Sequence, residues 1–359
     1  MSNTLHNAAY LACSWLWCLG GFFPLILGRD YGWPALAAFT IFNIGGAIYM
    51  GFYFKKPEQQ RQFENSHKPA IALFSYVTLA YQLFFVAWLG LVIEQLLLLP
   101  LVLTVGLAIY FSRTYIKSLA LVFYVLSIAL FVMFLNSDLP PIDLSAKPYW
   151  PHSVMPLAIG FMLSPYLDIT FHRAYKDSTN PKASFALGFG VFFLSLIAFV
   201  FYYAGSLGDI FFNGALPAAI VYPVIAFLVL QTSFTIAAHC SELKNQKYLS
   251  FSRLTTAILA FSVLVMSLLA LLKGSNIYWT PLPFEETVYK SFLFFYSLVF
   301  PLYLIMGQSK PMYLWILGIC TPAYSIGFLL GGQYSYTLTI GVVIILALVI
   351  SKHRRAVLS

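Results

Sequence analysis

The chain of 359 residues is 60% hydrophobic, 18% aromatic and only 9% charged. Soluble domains carry about 25% charged residues, and disordered chains are rich in charge and poor in aromatics, so both classes are excluded. The net charge of +8 therefore matters less for its size than for where the basic residues lie. The four cysteines are scattered and indicate neither a disulfide framework nor a zinc site.

Stretches without Asp, Glu, Lys or Arg predict transmembrane helices, because a spanning helix needs about 20 mostly apolar residues. Such stretches occupy 1–28, 31–54, 69–93, 95–112, 118–137, 148–167, 183–208, 210–241, 254–272, 291–309 and 311–351. The last stretch is long enough for two helices and is interrupted at Gly331-Gly332-Gln333. The sequence thus predicts an all-α polytopic membrane protein with twelve transmembrane helices, called helices 1 to 12 below.

Basic residues predict the orientation of these helices. With a cytoplasmic N-terminus and alternating helices, 16 of the 20 Lys and Arg residues fall inside, and only Arg29, Lys147, Lys273 and Lys290 fall outside. The positive-inside rule favours this arrangement, which places both termini in the cytoplasm. The first stretch lacks the basic start of a signal peptide and is interpreted as helix 1. We expect a multi-pass protein of the bacterial inner membrane, with no nucleic-acid partner and an oligomeric state left open.

Two predicted helices carry closely spaced glycine and proline. Helix 1 contains Gly20-Gly21-Phe22-Phe23-Pro24, and helix 6 contains Gly160 through Ser164-Pro165-Tyr166. Such pairs weaken a helix, and in lipid the freed backbone groups need other partners. Each site alone is equally compatible with a simple proline kink. Together they are more informative, because interrupted helices at matching positions of two halves indicate a transporter binding site.

The spacing of the two sites predicts an internal repeat. Their glycines are 140 residues apart and their prolines 141. A five-helix unit repeated once must be inverted in the membrane, because five is odd. Glycine pairs in helix 2 (Gly45-Gly46) and helix 7 (Gly188 and Gly190) would allow close helix packing in both halves. The predicted units are 1–136 for helices 1–5, 148–309 for helices 6–10, and 310–359 for helices 11–12 and the tail.

This pattern resembles the LeuT-fold transporters of the amino acid–polyamine–organocation superfamily, which have a 5+5 inverted repeat with helices 1 and 6 unwound. The segment around helix 6 is similar to that of the sodium:solute symporters, whose helix 6 carries a Gly, a Gln-Pro-His run, an Ala and a Lys. Here these read Gly160, Ser164-Pro165-Tyr166, Ala174 and Lys176. Gln and His are replaced, and the proline-to-alanine spacing differs by about one residue. The resemblance implies ion-coupled secondary transport of a small solute by alternating access.

Asp168 is the only acid within a predicted helix. A carboxylate in the membrane costs several kcal/mol and is a functional hypothesis by default. It could coordinate a cation, or exchange a proton with His172 one turn later. The alternative is a structural acid near the cytoplasmic interface, paired with Arg173 or a neighbouring helix.

Hydroxyl groups in helix 8 are candidates for a sodium site. In LeuT-like proteins adjacent hydroxyls of helix 8 bind sodium together with carbonyls of unwound helix 1. The resemblance therefore implies a site formed by Thr232 and Ser233 with carbonyls near Gly20. The alternative is that these hydroxyls bond back to carbonyls of their own helix.

The predicted substrate site combines the two breaks with helix 3: Gly20, Gly21, Phe22, Tyr81, Gln82, Gly160, Ser164 and Tyr166. For the helix 3 residues, packing with one interhelical hydrogen bond is the alternative.

Enzymes are disfavoured, because the chain has no His-x-x-x-His or Cys-x-x-Cys pair and only one acid inside a helix. The alternative is a joint site of His172 and His239, which are both predicted near the cytoplasmic face. We expect no cofactor, with Na⁺ or H⁺ as coupling ion and either symport or antiport. Rival interpretations are a major-facilitator transporter, whose Gly/Asp/Arg-rich loop motif is not matched by residues 55–64, and a membrane scaffold or enzyme.

Overall fold

The computed structural model describes residues 2–16, 23–137, 144–146, 150–213, 218–275, 283–306 and 310–325. These residues are helical throughout their regular structure, with no strand among them. Seven of their helices are long and apolar enough to cross a membrane. The predicted class of an all-α integral membrane protein is therefore confirmed.

The seven long helices coincide with predicted helices 2, 3, 5, 7, 8, 9 and 10: Trp33–Tyr53, Lys68–Val92, Arg113–Phe134, Pro181–Tyr203, Val221–Asn245, Phe251–Leu272 and Phe284–Met306. Helix 7 continues to Asn213 and helix 8 begins at Ala218. Helix 4 is the shorter Leu98–Phe111, and helix 11 is Lys310–Tyr324. Helix 12 lies outside the described residues, so the count of twelve stays a prediction.

Helices 1 and 6 each consist of two described segments. Those of helix 1 are Ser2–Trp15 and Phe23–Tyr31; the predicted break residues Gly20, Gly21 and Phe22 fall outside the described residues. Helix 6 runs from Trp150 to Leu163, turns through a 3₁₀ segment Ser164–Leu167, and resumes as Ile169–Asp177. The predicted interruption is present, but it begins four residues after Gly160, where Pro165 removes a backbone donor.

The polar segment between helices 2 and 3 forms a short helix, Pro57–Ser66, called the linking helix below. Gln60 and Glu64 lie one turn apart on it, and both are buried. The linking helix packs against helix 3 and the second segment of helix 6. It therefore belongs to the folded body, although its composition is that of a loop.

Segments that the sequence places on one side of the membrane contact each other. At the end predicted to be cytoplasmic, Asn3 accepts from the Thr179 backbone at 3.0 Å, and the Tyr248 hydroxyl donates to the Lys68 carbonyl at 2.9 Å. At the opposite end, the Trp33 backbone donates to Leu144 at 2.8 Å. The predicted alternation of sides agrees with these contacts.

Contacts between helices recur in pairs separated by five helices. Helix 1 packs on helices 5, 7 and 8, and helix 6 packs on helices 10, 2 and 3. Helices 4 and 5 pack on helix 8, and helices 9 and 10 pack on helix 3. Helices 2 and 7 also pack on each other. When helices 1–5 are exchanged with helices 6–10, the contacts of helices 1, 4 and 5 thus become the contacts of helices 6, 9 and 10.

Two glycines allow equivalent close contacts in this arrangement. A Cβ on Gly46 of helix 2 would overlap the backbone of Met162 in helix 6. A Cβ on Gly188 of helix 7 would lie 3.0 Å from the Ala8 carbonyl oxygen in helix 1. The expected close packing through helices 2 and 7 is therefore present at one glycine of each pair, and the two contacts correspond under the exchange of halves.

We expect a cytoplasm-specific reporter fused after Ser359 to be active and one placed in the loop 139–146 to be silent. The reason is the unequal distribution of basic residues, 16 inside against 4 outside. The measurement is reporter activity in whole cells with matched expression. An inactive C-terminal fusion would contradict both the count of twelve helices and the five-plus-five repeat.

Candidate functional site

The site is built around Asp168, the first residue after the 3₁₀ turn of helix 6. Its backbone is extended, and its side chain caps the second segment: Oδ1 accepts the backbone N–H of Thr170 at 2.7 Å and the Thr170 hydroxyl at 2.6 Å. Asp is among the preferred residues for such a cap. The side chain is fully buried, and its second oxygen, Oδ2, has no hydrogen-bond partner among the described residues.

The unpartnered oxygen of Asp168 faces a histidine of helix 8. His239 Nε2 lies 3.6 Å from Asp168 Oδ2, and both side chains are fully buried. Nε2 itself has no hydrogen-bond partner in the described part of the chain. The other ring nitrogen, Nδ1, lies 3.2 Å from the Ser75 hydroxyl of helix 3. Helices 3, 6 and 8 thus bring an acid and a base together at a depth where water is excluded.

His172 occupies a different environment from the one predicted. Its Nε2 lies 2.9 Å from the Tyr166 carbonyl oxygen, and its Nδ1 lies 2.8 Å from Gln60 Nε2 of the linking helix. Because an amide nitrogen only donates, Nδ1 accepts and Nε2–H donates, which defines one neutral tautomer. Both ring nitrogens are therefore directed to partners other than the Asp168 carboxylate.

Glu64 joins the linking helix to the ends of helices 6 and 8. It accepts from Lys176 at 2.7 Å, from Gln246 at 2.6 Å and from Gln60 at 3.0 Å. Burial raises the pKa of Glu64, but the hydrogen bond from Lys176, the nearby charges and Gln60 together hold this pKa below its ordinary value. The Glu64 carboxylate is thus kept charged.

We expect Lys176→Met to lower the melting temperature of the purified protein most strongly near neutral pH. A lowered pKa means that the ionised Glu64 stabilises the fold above its ordinary pKa, and that this contribution disappears as pH falls through the lowered value. The measurement is thermal unfolding of wild type and variant across pH, with the exposed Lys55→Met as the matched control. A difference that stays constant at acid pH would contradict the role given to Glu64.

The buried hydroxyls of helix 8 face different neighbours. Ser233 donates to the Val102 carbonyl of helix 4 at 3.0 Å. The Thr232 hydroxyl has no hydrogen-bond partner within the described segments. The Thr235 hydroxyl, which no sequence pattern singled out, lies 3.1 Å from the Cys13 carbonyl oxygen of helix 1 and 2.9 Å from the Gln231 carbonyl oxygen of its own helix, and its one hydrogen is shared between them. Thr235 is therefore the residue whose hydroxyl connects helix 8 to helix 1.

The remaining predicted substrate residues in helices 3 and 6 are buried or closely packed. The Tyr81 ring packs at a tilt against Phe292 of helix 10, with ring centroids 4.3 Å apart. The Ser164 hydroxyl bonds back to the Gly160 carbonyl, and Gly160 lies against the backbone of helix 10, where a Cβ would overlap the Tyr296 carbonyl.

Tyr166 and Gln82 complete this set. The Tyr166 ring packs edge-on against Tyr53 with centroids 5.4 Å apart. Gln82 is buried, and its Oε1 has no hydrogen-bond partner in the described helices. The Gln82 amide oxygen is therefore a polar atom available to engage a solute.

A cavity of about 360 Å³, called the cytoplasmic cavity, lies between helices 1, 5, 6 and 8 at the end that the sequence predicts to be cytoplasmic. Its charged lining residues include Lys117, Arg173 and Asp177, and the two cations both contact Asp177 Oδ2 at 2.7 Å. Tyr10 of helix 1 also lines the cavity; it is fully buried, and its hydroxyl has no hydrogen-bond partner among the residues described. The cavity therefore gives water an approach toward Tyr10 in helix 1.

Comparisons of the chain with protein-family models, curated proteins and solved structures found no match. Within the described ranges, no group of three or more His, Cys, Asp or Glu residues could hold a metal ion.

Proposed function

We propose that the chain is an ion-coupled secondary active transporter of a small solute, working by alternating access in the bacterial inner membrane. The observation that carries this proposal is the recurrence of helix contacts after an interval of five helices, with the interrupted helix 6 packed on helix 1. This recurrence supports a LeuT-like 5+5 repeat formed by 1–136 and 148–309, with 310–359 outside it. A major-facilitator chain instead repeats after six helices.

Polar groups at the meeting point of helices 1, 6 and 8 support a functional site there. The hydroxyl oxygens of Ser14 and Thr170 lie 2.9 Å apart and connect the first segment of helix 1 to the second segment of helix 6. Next to them, Asp168 is buried with one oxygen unpartnered within the described chain. Burying such groups costs free energy, which favours a role beyond packing.

Alternating access would use the two segments of helices 1 and 6 as moving parts. The first segment of helix 1 and the second segment of helix 6 both border the cytoplasmic cavity. Rotation of these segments away from helices 5 and 8 would widen the cavity toward the breaks. The solute would bind at the breaks, in reach of Gln82, and leave by this route.

Sodium is one candidate coupling ion, and the residues between helices 1 and 8 fit its preference for oxygen ligands. The Thr235 hydroxyl and the carbonyls of Cys13 and Gln231 would hold it, with Thr232 as a further hydroxyl. Bound sodium would supply positive charge that ties helix 1 to helix 8. The Ser233 hydroxyl would contribute only after leaving Val102.

If sodium is the coupling ion, we expect Thr235→Val to raise the sodium concentration for half-maximal uptake about tenfold, equivalent to about 1.4 kcal/mol. The change removes one oxygen between helices 1 and 8 while keeping the side-chain shape. Ser233→Ala, whose hydroxyl bonds to helix 4, is the matched control and should change this concentration much less. The measurement is uptake against sodium concentration in proteoliposomes. A larger effect from Ser233→Ala than from Thr235→Val would contradict this placement.

The experiment that tests the proposed function combines a thermal-shift screen with uptake. Purified protein is screened against a library of amino acids, nucleobases and sugars with and without sodium. Stabilising solutes are then assayed for accumulation in proteoliposomes under a sodium gradient or a proton gradient. We expect one gradient to drive accumulation. Failure of both gradients for every stabilising solute would favour a membrane scaffold instead.

A further inference from the structure

We infer that Asp168 and His239 form a shared proton-binding site that takes up its proton from the cytoplasmic cavity past Tyr10. As a proton site the pair stands on its own geometry, whereas its role in driving solute movement rests on the proposed function. It would make the proton the coupling ion.

The geometry of the pair suits a shared proton. Asp168 Oδ2 and His239 Nε2 face each other at 3.6 Å, and neither atom has another hydrogen-bond partner among the described residues. The remaining atoms of both groups are already held: Oδ1 caps the second segment of helix 6, and Nδ1 contacts Ser75. The two facing atoms are therefore positioned to share one proton and are not needed to hold the local fold.

Gain and loss of one proton change the net charge of the pair. When Nδ1–H donates to the Ser75 oxygen, the Nε2 lone pair faces the Oδ2 lone pair, and the pair carries a net charge of −1. One proton added between the two atoms, from water on one side, makes the pair neutral and joins the carboxylate to the ring. Release of the same proton to water on the other side restores the repulsion between the two lone pairs. Helices 6 and 8 are thus drawn together when loaded and pushed apart when empty.

Tyr10 provides a route for a proton from water in the cavity to the pair. Tyr10 lines the cytoplasmic cavity together with Glu242. It lies on the first segment of helix 1, which packs on the second segment of helix 6, the segment that Asp168 caps. Its hydroxyl is buried and without a hydrogen-bond partner in the described part of the molecule. A phenol hydroxyl both accepts and donates, so it can pass a proton from the cavity toward Asp168.

Other charged or titratable groups surround the pair without replacing it. Helix 6 presents His172 and Arg173, helix 8 presents Glu242, helix 1 presents Tyr10 and helix 3 presents the Ser75 hydroxyl. Both nitrogens of His172 are engaged with Tyr166 and Gln60, and Arg173 is paired with Asp177. Of the two histidines buried in the described part of the chain, His239 is therefore the one with a nitrogen directed at Asp168.

The test is infrared difference spectroscopy of the full-length protein in lipid as pH is changed. We expect a carboxyl C=O band that appears with acidification, is lost in Asp168→Asn, and shifts its midpoint by about one pH unit or more in His239→Gln. His67→Gln, at the start of helix 3, is the control and should leave the band unchanged. Asn keeps the capping oxygen of Asp168, and if that variant still fails to fold, the His239→Gln spectrum decides alone.

Different results would overturn the inference and the proposed function. A wild-type spectrum without a pH-dependent carboxyl band, or a band unchanged by both substitutions, would overturn the shared proton site and leave a sodium-coupled transporter standing. A titrating pair in a protein that accumulates no library solute under either gradient would support the proton site and overturn the transport function. Solute accumulation driven by a proton gradient and lost in His239→Gln would support both.

Discussion

The Asp168→Asn variant is expected to lose ion-driven uptake while reaching the membrane at near wild-type levels. Asn caps a helix about as well as Asp, so the bonds that Oδ1 accepts from Thr170 can be kept. The amide at the second position cannot carry the charge or the proton that Oδ2 presents to His239. The variant therefore separates the role of the carboxylate in ion handling from its role in the fold.

Asp168→Ala is the matched comparison for the cap. It removes the capping oxygen as well as the charge and should cost about 1 kcal/mol more stability than the Asn variant. Uptake is measured in proteoliposomes, and expression is measured by fluorescence of a C-terminal fusion. Normal uptake by Asp168→Asn would contradict a functional charge, and poor expression of that variant would favour a structural acid.

The Gly46→Ala variant is expected to lose about 3 kcal/mol of stability, whereas Gly45→Ala should be neutral or gain up to about 1 kcal/mol. A Cβ at position 46 would overlap the backbone of Met162, which no rotamer change can relieve. A Cβ at position 45 meets nothing within 4 Å. Both substitutions replace glycine by the same residue in the same helix, so the difference isolates the helix 2–helix 6 contact.

Thermal unfolding in detergent measures both glycine variants. The helix 2–helix 6 contact lies just before the break at Ser164, so a displaced Met162 should also disturb the turn that carries Asp168. Gly46→Ala should therefore lose uptake together with stability. Equal melting temperatures for the two variants would show that helices 2 and 6 are not in close contact.

Sequence patterns were sufficient for features that depend on local chemistry. Proline and glycine predicted the interruption of helix 6, and charge-free stretches predicted the long helices. The partner of Asp168 is a different kind of feature, because His239 is distant in the chain and the contact depends on how helices 6 and 8 pack. No spacing rule predicts that contact; a single buried acid only indicates that some partner exists.

The hydroxyls of helix 8 show the same limit at finer scale. Successive residues of a helix point about 100° apart, so the rotation of helix 8 decides whether Thr232, Ser233 or Thr235 faces helix 1. The hydroxyls of helix 8 point to different neighbours, so no single polar face predicts the rotation of that helix. The linking helix was missed for the opposite reason, because its polar composition indicated a loop. In the structure, Gln60 and Glu64 are buried by partners from helices 6 and 8.

The attachment of the linking helix allows movement of the second segment of helix 6 to be followed from an exposed surface. Gln60 touches His172, and Glu64 is paired with Lys176, so two points one turn apart on each helix are joined. Any tilt of that segment must therefore carry the linking helix with it. Arg61, on the exposed side of the linking helix, offers a place for a fluorescent label. The fluorescence polarisation of such a label would report movement of the second segment of helix 6 in real time.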